Sequence, residues 1–227
     1  MKSWKQMFLT IASVLPIAGL VGTNNLSTAI IILGIAVILV FVANPKFLPF
    51  IGLGLLGIVF AGIFLSVESY RLERIAIWRN PELYEKGYQT MQGLYAIGSG
   101  GIFGVGLGKS MQKLGFVPEA QNDMIFSIIC EELGLFGAIS VILIFMFMIY
   151  RFMVIAGNAP DLMGAMIVIG VMAHIAIQVI LNIAVVTNTI PNTGVTLPFI
   201  SYGGTSVMFL MLEMGMVLSV SNQIKLE

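Results

Sequence analysis

The run "MIFSIICEELGLFGAISVILIFMFMIY" (residues 124–150) contains two acids and no other charge. A helix needs about 20 apolar residues to cross a hydrocarbon core roughly 30 Å thick, and this run exceeds that. Five further runs approach the same length, at 7–22, 26–43, 47–67, 162–186 and 205–221. The composition agrees: 58% of the 227 residues are hydrophobic, 10% are charged, and the mean hydropathy is +1.01. A soluble domain carries about 25% charged residues. Lipid cannot satisfy a free backbone N–H or C=O, so the runs are expected to be helices. The expectation is an all-α polytopic membrane helix bundle with six transmembrane helices, forming one membrane domain over 1–227.

"MKSWKQ" resembles the basic start of a signal peptide, but residues 23–26 offer no small-x-small cleavage site, so the first run reads as a span. The net charge is zero, which gives no sign of nucleic-acid binding. Cys130 is the only cysteine, so no disulfide can form within the chain.

The connections at 23–25, 44–46 and 157–161 are short. Two are long: residues 68–123, and the Pro/Gly-rich segment 187–204, which can re-enter the bundle to line a cavity. Six spans put both long loops on one side. Lys2, Lys5, Lys46, Arg151 and Lys225 lie on the other, so the positive-inside rule makes the long loops extracellular. The 68–123 loop itself holds six basic residues, an exception tolerated in long translocated loops.

Within that loop, Asn80 and Pro81 read as a helix start, followed by Tyr84, Tyr88, Met91 and Tyr95 at helical spacing, which suits an interfacial helix. "GLGKS" (106–110) is not a phosphate-binding Walker loop, because Phe103 stands where that pattern needs glycine. Glycine packing is the expected role of 98–110. Pro118 reads as the start of a helix carrying Asp123 in its first turns. Glu131 and Glu132 are expected roughly 12 Å deeper, at 1.5 Å per residue. They would point about 100° apart on the helix, toward different partners. Acids in a span are costly unless paired or functional, and Glu213 falls under the same argument. His174, Gln178 and Asn182 make a polar stripe read as a hydrogen-bonded seam. With no second His and no Cys cluster beside His174, no metal ligand is assigned. "SYGGTS" (201–206) is expected to start the last helix, with the N–H groups of Ser201, Tyr202 and Gly203 open to an anion. Arg71, Arg74, Lys109 and Lys113 near the acids Glu119 and Asp123 suit a lipid with a phosphate or pyrophosphate head.

Residues 87–138 ("GYQTMQGLYAIGSGGIFGVGLGKSMQKLGFVPEAQNDMIFSIICEELGLFGA") resemble the large extracellular loop and following helix of the shape, elongation, division and sporulation (SEDS) family, which includes FtsW and RodA. "NTIPNTGVTLPFISYGGTS" (188–206) resembles its C-terminal signature. "NLSTAIIILGIAVILVFVA" (25–43) is a weaker third match, with Asn25 where the family usually has Asp. "IPNTGVTLPF" is closer to the division-type members.

The resemblance implies a multi-pass peptidoglycan glycosyltransferase of the bacterial cytoplasmic (inner) membrane, polymerising lipid II into glycan strands at the outer face. It also implies a class B penicillin-binding protein as partner, with other division proteins. The family fold usually has about ten spans, so this chain matches its C-terminal six. The family's essential aspartate maps onto Asp123. The implied reaction is an inverting transfer: a GlcNAc 4-hydroxyl attacks C1 of MurNAc and displaces undecaprenyl pyrophosphate, the lipid carrier of the growing glycan. Asp123 is the expected general base. Arg74 and Lys113, or a divalent cation (Mg or Mn), would stabilise the leaving group, with Glu119 supporting the cation. Two rival readings remain open: a flippase for the same lipid, or a non-catalytic division scaffold. Polymerisation from lipid II supplied only at the outer face separates the first rival. Survival of cell function without Asp123 would favour the second.

Overall fold

The computed structural model describes residues 4–43 and 69–224. The expected third span, 47–67, lies outside them. Among the described residues all regular structure is helical: α1 (Trp4–Asn24), α2 (Leu26–Ala43), α3 (Ser69–Arg79), α4 (Tyr88–Gly100), α5 (Ile125–Gly157), α6 (Leu162–Val186) and α7 (Gly204–Asn222). Four of these, α2, α5, α6 and α7, are long and apolar enough to cross a membrane, and Leu9–Thr23 of α1 is a shorter apolar helix. Helix α6 packs against α2, α5 and α7, which makes it the bundle's centre. Its Val168, Val171, Ile175 and Val179 face Phe126, Ile128, Phe145 and Phe152 of α5 and Leu210 and Val217 of α7 in one core cluster. Asp161 starts α6 by accepting a hydrogen bond from the Gly164 N–H at 2.7 Å. Large apolar side chains such as Phe136, Leu143, Ile144 and Phe147 of α5 remain exposed, forming a surface for lipid.

Helix α5 is not continuous. Gly134 has φ 65° and ψ −162°, which breaks it into two legs. Inside a helix the N–H groups of Leu135 and Phe136 would bond the carbonyls of Glu131 and Glu132. Here the segment after α4 takes both pairs. Leu135 and Phe136 donate to the Gly101 and Ile102 carbonyls at 2.9 and 3.1 Å, and Val105 and Gly106 donate to the Glu131 and Glu132 carbonyls, both at 2.9 Å. Such close approach requires glycine: a Cβ on Gly134 would strike the Gly104 amide and the Ile102 carbonyl, and one on Gly104 the Glu132 carbonyl. The glycine-rich stretch therefore packs closely, as its composition predicts.

The second leg, about 23 residues from Leu135, is roughly 34 Å long and crosses a bilayer core alone. Glu131 and Glu132 lie on the loop side of the break, in the short leg that follows Asp123. Two helix starts are corrected. Residues after Pro81 form 3₁₀ turns at Pro81–Leu83 and Glu85–Gly87 before α4 begins at Tyr88, and Asn80 makes no side-chain cap. Residues after Pro118 are turns until Ile125. Tyr84, Tyr88 and Tyr95 are exposed.

Gly134→Ala should lower stability by about 1–3 kcal/mol, because that backbone region is open essentially to glycine alone. Gly98→Ala, a helical site with open space around it, should be neutral or stabilising by up to about 1 kcal/mol. Thermal unfolding of the purified protein in detergent compares the two.

Candidate functional site

Asp123 occupies the turn just before α5 and is 8% exposed. Its carboxylate borders a cleft of about 290 Å³ lined also by Glu73, Arg74, Trp78, Lys86 and Asn192. The cleft lies between α3, the 3₁₀ turns and the 187–203 loop. Trp78 closes the back by donating its indole N–H to the Asn188 carbonyl at 2.9 Å, and Asn188 returns a bond to the Trp78 carbonyl at 3.4 Å. Arg74 reaches the Asn192 carbonyl at 3.4 Å. Lys86 pairs with Glu73 at 2.9 Å, with both side chains largely solvated.

Asp123 is held at both ends. Gln89 Nε2 donates to its two carboxylate oxygens at 3.3 and 3.4 Å. Asn182, fully buried on α6, donates from one amide nitrogen to the Asp123 carbonyl at 2.7 Å and the Val195 carbonyl at 2.8 Å. Burial raises the Asp123 carboxyl above its ordinary value, and the charge of Glu119 adds to this. Hydrogen bonds from backbone amides and Gln89 pull the other way but do not cancel it.

The remaining expected site residues divide. Arg74 lines the cleft; Lys113 does not. Lys113 is committed to Glu132 at 2.6 Å. Glu119 is exposed, adopts φ 54°, and accepts from the Asn122 side-chain amide, away from the cleft lining. Ser201 is buried, donating to the Asn122 carbonyl at 2.7 Å and accepting from the Leu197 N–H at 2.7 Å. The Tyr202 N–H is taken by the Gln121 carbonyl at 2.8 Å, while its ring stays exposed. Gly203 is the N-cap residue of α7. Ser201 and Tyr202 therefore fasten the 121–122 backbone instead of offering open N–H groups. The Arg71 side chain lies outside the described residues.

Glu131 and Glu132 share one partner, contrary to the helical-wheel expectation. Ser110 Oγ and the Met111 N–H (3.1 Å) bind Glu131. The Gly108 and Ser110 N–H groups bind Glu132 at 2.9 and 3.3 Å. The loop curls around the helix and so meets both faces. "GLGKS" does cradle an anion, but the anion is the protein's own carboxylate. In the expected seam, His174 Nδ1 lies 2.8 Å from Glu213 Oε1, whereas Asn182 serves the loops and Gln178 Oε1 has no hydrogen-bond partner among the described residues.

Residues 1–226 match the family model for FtsW, RodA and SpoVE, described as "Cell cycle protein". The chain belongs to this family. It is 44% identical over 200 residues to "Stage V sporulation protein E" of Bacillus subtilis (strain 168), covering 87% of this chain and 54% of that protein. It is 37% identical over 204 residues to "Probable peptidoglycan glycosyltransferase FtsW" of Trichlorobacter lovleyi, covering 89% and 54%. The chain thus spans about half the length of the curated relatives it matches. A solved chain described as "Structural coordination of polymerization and crosslinking by a peptidoglycan synthase complex" superposes with a TM-score of 0.77 at 26% identity, covering 94% of this chain and 61% of that one. The Thermus thermophilus rod shape determining protein RodA shares the fold, with a TM-score of 0.64 at 23% identity over 100% of this chain and 60% of that one. With its apolar helices, this family member is a multi-pass protein of the bacterial inner membrane.

Gln89, Asn192 and Asn182 were not singled out for the site by sequence reasoning. Asn182 stood out only as part of a stripe, and Asn192 reads as an ordinary turn residue. Asn182→Ala should leave two buried carbonyls without a donor, at about 1–3 kcal/mol for each unpaired group. A clear fall in the thermal unfolding midpoint of the detergent-solubilised protein is expected.

Proposed function

We propose that this chain carries the catalytic half of a peptidoglycan glycosyltransferase that polymerises lipid II at the outer face of the membrane. One observation carries the reading: a buried carboxylate, Asp123, opens onto a cleft that also holds Arg74 and Lys86. The names of its relatives support the reaction class. In this reading the chain has six spans, and both long loops are extracellular.

Asp123 removes the proton from the acceptor GlcNAc 4-hydroxyl as that oxygen bonds to C1 of the donor MurNAc. The C1–O bond to the undecaprenyl diphosphate breaks on the opposite face, and the electron pair leaves with the diphosphate. Diphosphate needs no proton to depart, so one base and nearby cations suffice, unlike the acid pair of a glycosidase. Arg74 and Lys86 offset the charge on the leaving group; Lys86 takes the role expected of Lys113.

The residues also fit a divalent cation. Among the described residues no cluster of three metal-ligating side chains exists, but Mg²⁺ is commonly held by one or two carboxylates plus substrate phosphates. Glu73, which lines the cleft, would hold it together with the diphosphate, leaving Asp123 free to act as the base. It would supply further neutralisation of the diphosphate. Glu119 is turned away from this role. A class B penicillin-binding protein is the proposed partner, which is consistent with the synthase complex in which a structural neighbour was solved.

Asp123→Asn in the complete gene product should abolish glycan polymerisation from lipid II while leaving membrane insertion intact. Normal polymerisation by that variant contradicts the reading. In the unsubstituted protein, the acidic limb of the pH–rate profile should lie above the ordinary aspartate value of about 3.9, because burial favours the protonated acid and activity requires the ionised form. A limb at or below that value contradicts it.

A further inference from the structure

Among the described residues the carboxylate of Asp123 has one side-chain donor, Gln89, and that donor is itself held. Gln89 Nε2 spans both carboxylate oxygens, and its Oε1 accepts from Asn192 Nδ2 at 3.3 Å. Asn192 Oδ1 in turn accepts from the Gly194 N–H at 3.0 Å. An amide side chain can be turned end for end, so its orientation must come from its neighbours. Here a backbone N–H, which can only donate, settles the whole series. It demands the oxygen of Asn192, which leaves the Asn192 NH₂ facing Gln89. That demands the oxygen of Gln89, which leaves the Gln89 NH₂ facing Asp123.

Resting on Asp123 as the base, we propose that Gln89 and Asn192 are positioning residues. They form a one-way amide chain that aims the Asp123 carboxylate into the cleft and favours its ionised form. The chain joins the two long loops: Gln89 starts α4 in the first, and Asn192 lies in the second. Asp123 is therefore correctly presented only when the loops are docked on each other. A donor aimed at a carboxylate stabilises the charged form and opposes the desolvation that burial imposes. The other charged groups around Asp123 come from the first loop: Glu73, Arg74 and Lys86 at the cleft wall and Glu119 in the same turn. The 187–203 loop carries no charged residue, so its influence on Asp123 runs through Asn192 and backbone groups.

The test measures kcat/KM for lipid II polymerisation against pH in the complete gene product, comparing the unsubstituted protein with Gln89→Ala, Gln89→Glu, Asn192→Ala and Asp123→Asn. Gln89→Ala should move the acidic limb upward by about one pH unit, the size expected for losing a hydrogen bond to a charged group. It should also lower kcat more than it raises KM. Gln89→Glu should move the limb further, since it sets a second carboxylate against the first. Asn192→Ala should shift it the same way by less, and this variant carries the test if Gln89→Ala does not fold. A role confined to packing would lower activity equally at every pH. Unmoved limbs in the folded Gln89 and Asn192 variants, with Asp123→Asn inactive, overturn the amide chain alone. An active Asp123→Asn overturns the base assignment and the amide chain with it.

Discussion

Two missing helical hydrogen bonds organise this structure. At Gly134 the ladder of α5 opens, and the loop at 101–106 inserts into it, replacing two internal bonds with four bonds to the loop. The N–H groups of Leu135 and Phe136 and the carbonyls of Glu131 and Glu132 thus all keep partners across the break, as irregular backbone near the membrane requires. The insertion anchors the long loop to the bundle and fixes the short leg Ile125–Leu133 relative to the spanning leg. Asp123 stands at the head of that short leg, so its position follows from the break.

Asn182 then ties the second loop to the first. One buried nitrogen bridges the carbonyls of Asp123 and Val195, while Ser201 and the Tyr202 amide hold Asn122 and Gln121. These are local and polar contacts, made at the end of the bundle where apolar packing is least available. The charges divide accordingly. Glu131, Glu132 and Lys113 hold the loop to the helix, while Asp123, Arg74 and the Lys86–Glu73 pair line the cleft. A charge near a membrane is costly unless paired, and the unpaired function of Asp123 is possible because amide donors surround it without neutralising it.

The apolar runs showed the helical membrane class directly, since length and hydropathy alone dictate it. The break in α5 was not legible, because "EELGLFG" has helical periodicity on both sides and one glycine in a membrane helix is common. With the loop paired into the break, Glu131 and Glu132 both meet the 108–111 segment and Lys113 is drawn to Glu132. The glycine-rich stretch was legible as close packing, but its partner was not, because backbone-to-backbone pairing leaves no side-chain pattern. Asp123 came from resemblance to a family motif; spacing had also offered Glu119, which a left-handed backbone turns outward. Gln89, Asn182 and Asn192 are distant in sequence and meet only through the fold.

The most direct test of the account is a cryo-EM structure of the complete gene product bound to a lipid II analogue that cannot react. The account predicts that the acceptor sugar enters the cleft with its 4-hydroxyl within hydrogen-bond distance of the Asp123 carboxylate, and that the donor diphosphate lies against Arg74 and Lys86. Sugars bound elsewhere on the bundle, with Asp123 out of reach of any hydroxyl, would contradict it.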